Sequence, residues 1–224
     1  MFWTFFWSIM GTLCSVFPRK ILILPEIFWS RGIQFFLPLI VGINVKIINK
    51  DKIPDGPCII ACKHQSAWET TIFHGSLPDP AIVLKSELLS IPFLGIYAKK
   101  LEMIPVDRET GTSSMRKMLK AARAATKKNR PIVIFPEGTR VSEGGKTHIR
   151  SGIYGLYSYL KIPVVPVGLN AGKFWPKTSH LRHRGTIKME YLAPIKPGLE
   201  KEEFMKQLTK AITNGTKRLM EEEV

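Results

Sequence analysis

Cysteine is rare in this chain, and a common catalytic motif is missing from it. Cys14, Cys58 and Cys62 are the three cysteines, and no C-x-x-C pair occurs, so the spacing offers neither a disulfide framework nor a zinc site. Cys58 and Cys62 flank one short apolar run with even spacing, so they share a face and cannot easily bridge. We expect reduced, cytosol-facing thiols. The absence of a G-x-S-x-G segment excludes the nucleophile elbow of a serine hydrolase.

Acidic residues are also scarce. Asp and Glu number 18 against 33 Lys and Arg, which makes the formal net charge +15, while 45% of the residues are hydrophobic. This apolar content excludes a disordered basic tail, and 224 residues suffice for one domain with a sizeable core. Such a balance indicates an anionic partner. We expect a membrane surface or a phosphorylated substrate and no nucleic acid, because no RNA- or DNA-reading motif occurs.

Residues 1–43 are predicted to form an N-terminal membrane-associating helical segment. Met1–Phe17 has no charged side chain and is rich in aromatics, and it lacks the basic region and cleavage site of a secretory signal. Ile21–Ile43 is also apolar, but Glu26 and Arg31 interrupt it, which argues against a clean transmembrane span.

An apolar helical pair in the membrane interface is the favoured interpretation of this segment. Two alternatives stay open. In the first, the apolar helix pair packs on the main domain. In the second, one helix spans the membrane with Arg19 and Lys20 on the cytoplasmic side.

Beyond residue 43, apolar strand-like runs alternate with amphipathic helices. This alternation predicts an α/β domain over residues 44–224, with a mixed, mostly parallel sheet flanked by helices. The predicted strands are 42–48, 58–62, 81–84, 101–106, 131–135, 162–167 and 186–192. The predicted helices are 66–76, 88–98 with a break around Pro92, 112–129, 151–160 and 200–222. Helix 112–129 has one apolar face and is basic over much of the rest.

His64 is the first candidate catalytic residue, because it lies where an apolar strand ends and a helical pattern starts. Glu69 follows five positions later. The two side chains would point about 140° apart if both were helical. If His64 precedes the helix and Glu69 opens it, the carboxylate can reach back to the imidazole, as a general base requires. Alternatively, Ser66 and Glu69 form a capping box that needs no catalysis.

Two further polar stretches also follow apolar strands. These are Asp107-Arg108 and the segment from Glu137 to Arg140. Ligands of open α/β sheets bind beyond the carboxyl ends of the strands, so the three stretches converge on one cleft if their strands are neighbours. Guanidinium groups suit phosphate there, and Gly138 permits close backbone approach. The alternative for residues 136–139 is an ordinary β-turn.

Four blocks of the sequence resemble the glycerolipid acyltransferases of the 1-acyl-sn-glycerol-3-phosphate acyltransferase type. Residues 135–140 match the family's F-P-E-G-T-R block without substitution, and residues 64–69 are similar to its H-x4-D box. Residues 103–108 and 162–167 resemble the two remaining blocks, in the family's order and spacing. The departure is Glu69, where most members have Asp; this leaves a different acceptor open.

The resemblance implies transfer of an acyl group from a thioester to the sn-2 hydroxyl of lysophosphatidic acid, giving phosphatidic acid in phospholipid biosynthesis. It assigns the general base to His64 and its orientation to Glu69. Backbone N–H groups at the helix start are candidates for the oxyanion. Acyl-CoA or acyl-carrier protein would be the co-substrate, with no cofactor and no metal. The residues implied to hold the glycerol phosphate are Arg108, Glu137, Gly138, Thr139 and Arg140.

The same resemblance implies an enzyme at the cytoplasmic face of the inner or cell membrane, with the bilayer as a partner. The basic helix over 112–129 would contact lipid headgroups, coenzyme A phosphates or an acidic carrier protein, unless it is simply solvated. Two alternative functions remain: an acyltransferase for another lysolipid, such as a lyso-ornithine lipid or another lysophospholipid, and a non-catalytic basic membrane-binding protein.

Overall fold

The computed structural model describes residues 2–107, 111–145, 147–179 and 181–222. Within these residues seven strands form one sheet in the order β1-β7-β6-β2-β5-β3-β4. Every neighbouring pair is parallel except β6 with β7, so the predicted mixed, mostly parallel sheet is confirmed. The strands are β1 Ile43–Ile48, β2 Ile59–Cys62, β3 Ala81–Lys85, β4 Ile104–Val106, β5 Ile132–Ile134, β6 Val164–Leu169 and β7 Gly185–Tyr191.

Helices cover both faces of the sheet. Strand β2 shows why its sequence is continuously apolar: Ile59 and Ala61 belong to one core, whereas Ile60 and Cys62 belong to the core on the opposite face. Helices α2, α3, α4 and α7 pack on the Ile60 face, and α5, α6 and α8 pack on the Ile59 face. The helices are α1 Phe2–Leu13, α2 Arg19–Phe36, α3 Glu69–Ser76, α4 Leu94–Lys100, α5 Gly111–Lys127, α6 Gly152–Leu160, α7 Ala171–Phe174 and α8 Lys201–Glu221.

The observed elements differ from the predicted ones mainly where backbone groups find other partners. The helix predicted over 66–76 begins at Glu69, because residues 65–68 form a loop tied to the Glu69 carboxylate. The predicted break of the 88–98 helix around Pro92 is confirmed: a 3-10 segment, Ser86–Ser90, precedes Pro92 and α4 follows it. The short helix α7 is too small to carry a sequence periodicity and was not predicted.

The N-terminal helices α1 and α2 pack together, and α2 also packs on α3. Three polar side chains on one face of α2 contact α3. Gln34 accepts a hydrogen bond from the Trp68 indole at 2.9 Å, Ser30 donates to the Thr71 carbonyl at 2.6 Å, and Glu26 pairs with His74. These residues recur every fourth position, so they form one stripe along α2. We call this set of contacts the α2–α3 ladder.

The apolar side chains in the described part of residues 1–43 divide into a buried and an exposed group. Leu22 and Leu37 are buried in the core under the sheet, whereas a second set of large apolar side chains is exposed. Among the described residues no helix combines the length and apolarity that crossing a membrane requires. The division into residues 1–43 and 44–224 stays a prediction. The exposed set comprises Phe2, Phe5, Phe6, Leu13, Val16, Phe17, Ile21, Leu24, Phe28, Phe35, Phe36, Leu39 and Ile40.

Candidate active site

The loop that carries His64 joins β2 to α3 and is fixed from several sides. The His64 backbone N–H donates to Glu137 Oε2 at 2.8 Å, and its carbonyl accepts from the Val141 N–H at 2.8 Å. Its ring stacks on Phe135 with 4.4 Å between the ring centroids. Phe135 and Glu137 follow β5, the parallel neighbour of β2. The position of His64 therefore depends on two adjacent strand ends.

Glu69 reaches back to His64 in the geometry that the sequence predicts. Glu69 Oε1 lies 2.9 Å from His64 Nδ1, and the same oxygen accepts the Gln65 and Ser66 N–H groups at 2.6 Å each. Glu69 is fully buried and is the first residue of α3. A carboxylate on Nδ1 favours the tautomer with its proton on that nitrogen, which leaves a lone pair on Nε2. This is the arrangement of a general base with an orienting acid.

The alternative of a helix cap is compatible with this pairing. Glu69 caps the Ser66 N–H, as in a capping box, while the Ser66 hydroxyl accepts the Trp68 N–H at 3.0 Å. These contacts correct one expectation. The N–H groups of Gln65, Ser66 and Trp68 are already occupied, so they are not free for an oxyanion. Within the described ranges the Ala67 N–H has no acceptor, and Ala67 lies at the cavity described below.

Glu137 is buried and bound to protein donors, whereas a phosphate-binding residue would have to face the ligand. Its carboxylate is buried, forms an ion pair with Lys63 and accepts the His64 N–H. Lys63 also donates to the Thr147 hydroxyl at 2.8 Å. Both oxygens of Glu137 therefore face protein donors beneath the loop. A carboxylate in this position would repel a phosphate, and its contacts instead hold the backbone of His64.

Gly138 turns the F-P-E-G-T-R block with a φ of 71°, in the left-handed region that glycine adopts readily. A Cβ at this position would lie 2.9 Å from Arg150 Nε, so the missing side chain makes room for that guanidinium. Both residues line one cavity together with His64. Thr139 is exposed and Arg140 is half-buried. Neither is among the residues that line this cavity.

Arg108 lies outside the described residues, so its predicted position beside His64 stays untested. Strand β4, which leads into it, is not a neighbour of β5, because β3 lies between them. The condition stated for convergence, that the three strands are neighbours, therefore holds for β2 and β5 but not for β4. All four strands β2, β5, β3 and β4 run parallel, so their carboxyl ends still meet at one edge of the sheet. Val106 at the end of β4 lines the same cavity as His64.

The cavity has a volume of about 660 Å³ and extends from His64 to the N-terminal helices. This size is typical of sites that enclose a small molecule or one long chain. The polar groups in its wall include Lys85, Arg150 and the Glu26–His74 pair of the α2–α3 ladder. Most of the wall is apolar, with contributions from Trp7, Trp29, Ile33, Leu84, Leu88, Leu94, Ala98, Met115, Met118, Ile134, Phe135 and Ile153.

Sequence reasoning did not single out Arg150 or Lys85. One signal for Arg150 was present: it stands two residues before α6, where the positive end of a helix disfavours a cation. A bound anion would offset this repulsion, and the exposed Arg150 side chain at the cavity is placed to meet one. The described residues give the Arg150 side chain no carboxylate partner, although its backbone N–H donates to the Pro136 carbonyl at 2.9 Å.

The nearby cysteines are free, as predicted, and both are buried. Burial, together with the charges of Glu69 and Glu137, raises the pKa of the Cys62 thiol well above its usual range. Burial likewise raises the pKa of Cys58 to about 11. Both groups therefore stay neutral thiols at physiological pH, which argues against a thiolate nucleophile beside His64.

Known proteins share both the sequence and the fold of this chain. The family model described as Acyltransferase matches residues 44–170. A 1-acyl-sn-glycerol-3-phosphate acyltransferase from Pseudomonas aeruginosa is 34% identical over 161 residues, which is 72% of this chain and 63% of that protein. The enzyme of the same name from Bacillus subtilis is 30% identical over 204 residues, covering 86% of this chain and 95% of that protein.

The crystal structure of the 1-acyl-sn-glycerophosphate (LPA) acyltransferase PlsC from Thermotoga maritima has the same fold. It matches with a TM-score of 0.78 over 98% of this chain and 90% of that one, at 20% identity. The site defines an α/β protein with a His–Glu pair at the carboxyl edge of its sheet. With the family model matching more than half of its length, the chain belongs to the acyltransferase family. The resemblance inferred from the four sequence blocks is confirmed at this level.

Replacing Glu137 with Gln should strongly destabilise the protein. The Lys63 and Glu137 side chains are 4% and 1% exposed, so the neutral amide would leave a buried ammonium without its counterion. Breaking a buried pair in this way costs about 3–5 kcal/mol. The free energy of unfolding in urea measures it. The matched control is Glu221→Gln, whose partner Lys217 is 72% exposed, with an expected cost of about 0–1 kcal/mol. Equal losses of unfolding free energy in the two variants would contradict the conclusion that the buried Lys63–Glu137 pair holds this part of the site.

Proposed function

We propose that this protein transfers a fatty acyl group from an acyl thioester to the sn-2 hydroxyl of lysophosphatidic acid, producing phosphatidic acid. The observation that carries this proposal is the His64–Glu69 pair, 2.9 Å between Nδ1 and Oε1, at a largely apolar cavity of about 660 Å³. The cavity suits an acyl chain and brings it to a base. Family membership and the names of the relatives support the same activity.

The geometry supports a direct transfer. His64 Nε2 removes the proton from the acceptor hydroxyl, and the resulting oxygen nucleophile attacks the thioester carbonyl. Glu69 stabilises the imidazolium that forms, as the carboxylate of a Ser-His-Asp triad does. The tetrahedral intermediate collapses with a new C–O bond, the C–S bond breaks, and the thiolate takes the proton from His64. The substrate hydroxyl replaces a serine, so no acyl-enzyme forms.

The Ala67 N–H is our candidate donor to the oxyanion. It stands in the loop between His64 and Glu69, at the cavity wall, and has no acceptor within the described part of the chain. A backbone donor that is fixed before the reaction stabilises developing charge without reorganisation. The chemistry requires neither a metal nor a cofactor, since the donor thioester is itself the activated reactant.

The acceptor phosphate is assigned to the cations in the cavity wall. Arg150 lines the cavity in contact with Gly138, and Lys85 lines it from the end of β3, where it also pairs with the exposed carboxylate of Glu87 at 2.6 Å. Guanidinium binds phosphate bidentately and stays charged. Arg140 and Thr139 follow Gly138 along the chain but lie outside the cavity wall, so the phosphate assignment does not depend on them, while Glu137 acts as a positioning residue. These cations favour a phosphate-bearing acceptor over a lyso-ornithine lipid, which has no phosphate.

We also propose that the N-terminal helices dock the enzyme on the cytoplasmic side of a membrane. The exposed apolar residues of α1 and α2 include aromatics that suit the lipid interface, and the exposed cation Lys20 lies among them in the chain, whereas Arg19 is paired with Asp79. Such a position would let the insoluble acceptor enter the cavity from the bilayer, since Trp7 and Trp29 of these helices belong to its wall.

The reaction itself is tested by thiol release from a long-chain acyl-CoA or acyl-carrier protein, with and without lysophosphatidic acid. Wild-type protein should release thiol only when the acceptor is present. His64→Ala should lower turnover at least a hundredfold, because a positioned general base contributes about 100- to 10,000-fold. Far-ultraviolet circular dichroism controls for folding. Acceptor-independent release, or full activity of the variant, would exclude this mechanism; release with another lysolipid alone would change the acceptor.

Arg150→Ala should raise the KM for lysophosphatidic acid by about 10- to 100-fold, since a hydrogen bond to a charged group contributes about 1.5–3 kcal/mol. The KM for the thioester should stay within twofold. Gly138→Ala tests the same assignment by another route, because its Cβ would collide with the guanidinium and displace it. A selective increase in the donor KM for either variant would move the phosphate site elsewhere.

Membrane docking is tested by replacing Leu24, Leu39 and Ile40 with Ser. They are 54%, 69% and 77% exposed, so the core should survive, while each lost anchor weakens partitioning by about 1.5–3 kcal/mol. Binding to sedimented anionic liposomes should fall more than tenfold. Leu181→Ser, at a side chain that is 71% exposed, is the matched control. Deleting residues 1–43 is a poorer test, because Leu22 and Leu37 belong to the core. Unchanged liposome binding would place the contact on another surface.

A further inference from the structure

Helix α5 presents a solvent face on which the charges are all positive. The helix from Gly111 to Lys127 contains no Asp or Glu, and its exposed cations continue to Lys128. Solvated helices normally mix both signs, because like charges three or four positions apart repel. Helix α8 of this protein follows that rule with Glu202, Glu203 and Glu221 among its cations. The cations of the α5 face are Arg116, Lys117, Lys120, Arg123, Lys127 and Lys128.

Few of these cations are neutralised within the protein. Lys128 pairs with Glu102 at 2.6 Å, and the Arg123 guanidinium lies 5.3 Å from the centre of the Tyr159 ring. For the other four, no side-chain acceptor lies within reach among the residues that the structure describes. The α5 face therefore has unsatisfied positive charge, which a partner with acidic side chains would complement.

The location of this face separates it from the proposed membrane surface. Met118, Ala122 and Ala125 pack α5 on the Ile59 face of the sheet, whereas α2 packs on the opposite face. The outward-facing cations of α5 therefore lie on the opposite side of the sheet from α2. A bilayer that receives the outer face of α2 would leave the outer face of α5 accessible to a soluble partner.

The same helix reaches the reaction cavity. Met115 and Met118 on its inner face line the cavity together with His64. Arg116 and Lys117 are their neighbours along the chain and point outward. A partner on the α5 face would stand next to the place where the thioester must enter.

We propose that α5 docks an acidic carrier protein that delivers the acyl group as a thioester on a flexible arm; this rests on the acyltransferase function proposed above. The cations from Arg116 to Lys127 extend over twelve residues, and the eleven helical steps between the first and the last correspond to about 17 Å of helix. That length matches a row of acidic side chains on a protein surface. The clustered phosphates of a free coenzyme would engage only part of it.

The test compares two donors with one acyl chain, carrier-protein thioester and coenzyme A thioester, with lysophosphatidic acid as acceptor. The variant carries Arg116→Glu, Lys117→Glu and Lys120→Glu. It should raise the KM for the carrier-protein donor at least tenfold and leave the KM for the coenzyme A donor within twofold. The matched control, Lys201→Glu, Lys206→Glu and Lys210→Glu on α8, has the same change in charge and should alter neither KM.

Three results would overturn the proposal. The α5 variant could raise the KM for both donors equally, it could change neither KM, or the wild-type enzyme could use only the coenzyme A thioester. Reduced liposome binding by the α5 variant would do so as well, since the partner would then be lipid. Titration of the carrier protein without its acyl group measures docking apart from the reaction. The α5 variant should lose this binding and the α8 control should retain it. The binding titration reports on carrier-protein docking and the coenzyme A assay reports on acyl transfer, so a failure of one proposal can be told apart from a failure of the other.

Discussion

The buried pair of Lys63 and Glu137 is the interaction on which the site depends. It joins the residue after β2 to the segment after β5, and Glu137 uses its second oxygen to hold the His64 N–H at 2.8 Å. Two charges removed from water are stable only when they satisfy each other, so this contact has one arrangement rather than several. Because the His64 N–H is bound to Glu137, the loop that carries His64 is held in one position as well. Glu69 then needs only to fix the ring, which it does from the start of α3.

Parallel strand order explains why so short a set of segments can build the site. Strands β2 and β5 are neighbours, and β3 and β4 follow in the same direction. Each strand therefore delivers its carboxyl end to the same edge, where a crevice forms outside the sheet. Helices on both faces close this crevice into a cavity. The parallel arrangement of these strands thus brings together both the polar groups and the apolar wall of the cavity, although the residues concerned are far apart in the chain.

Much of this architecture was predictable from the sequence, because buried strands are apolar runs and the His64–Glu69 contact is local. The roles of Glu137 and Arg150 were not. Glu137 looked like a ligand-binding residue, since its pairing with Lys63 spans 74 positions and leaves no local pattern. Arg150 became a candidate only when Gly138 was seen to leave room for it. The Glu69 side chain, longer than the more common Asp, fits because α3 begins at that residue.

Helix α2 carries three sets of side chains with separate contacts, and this has a consequence for how the proposed acyl transfer could diversify. Its stripe of Glu26, Ser30 and Gln34 contacts α3, Trp29 and Ile33 border the cavity, and Leu24 and Phe28 point outward. Substitutions at the bordering positions would reshape the cavity and leave His64 and Glu69 in place. Under the proposed acyl transfer, the preference for one acyl-chain length would therefore change through a few codons of the first helices without altering the reacting groups.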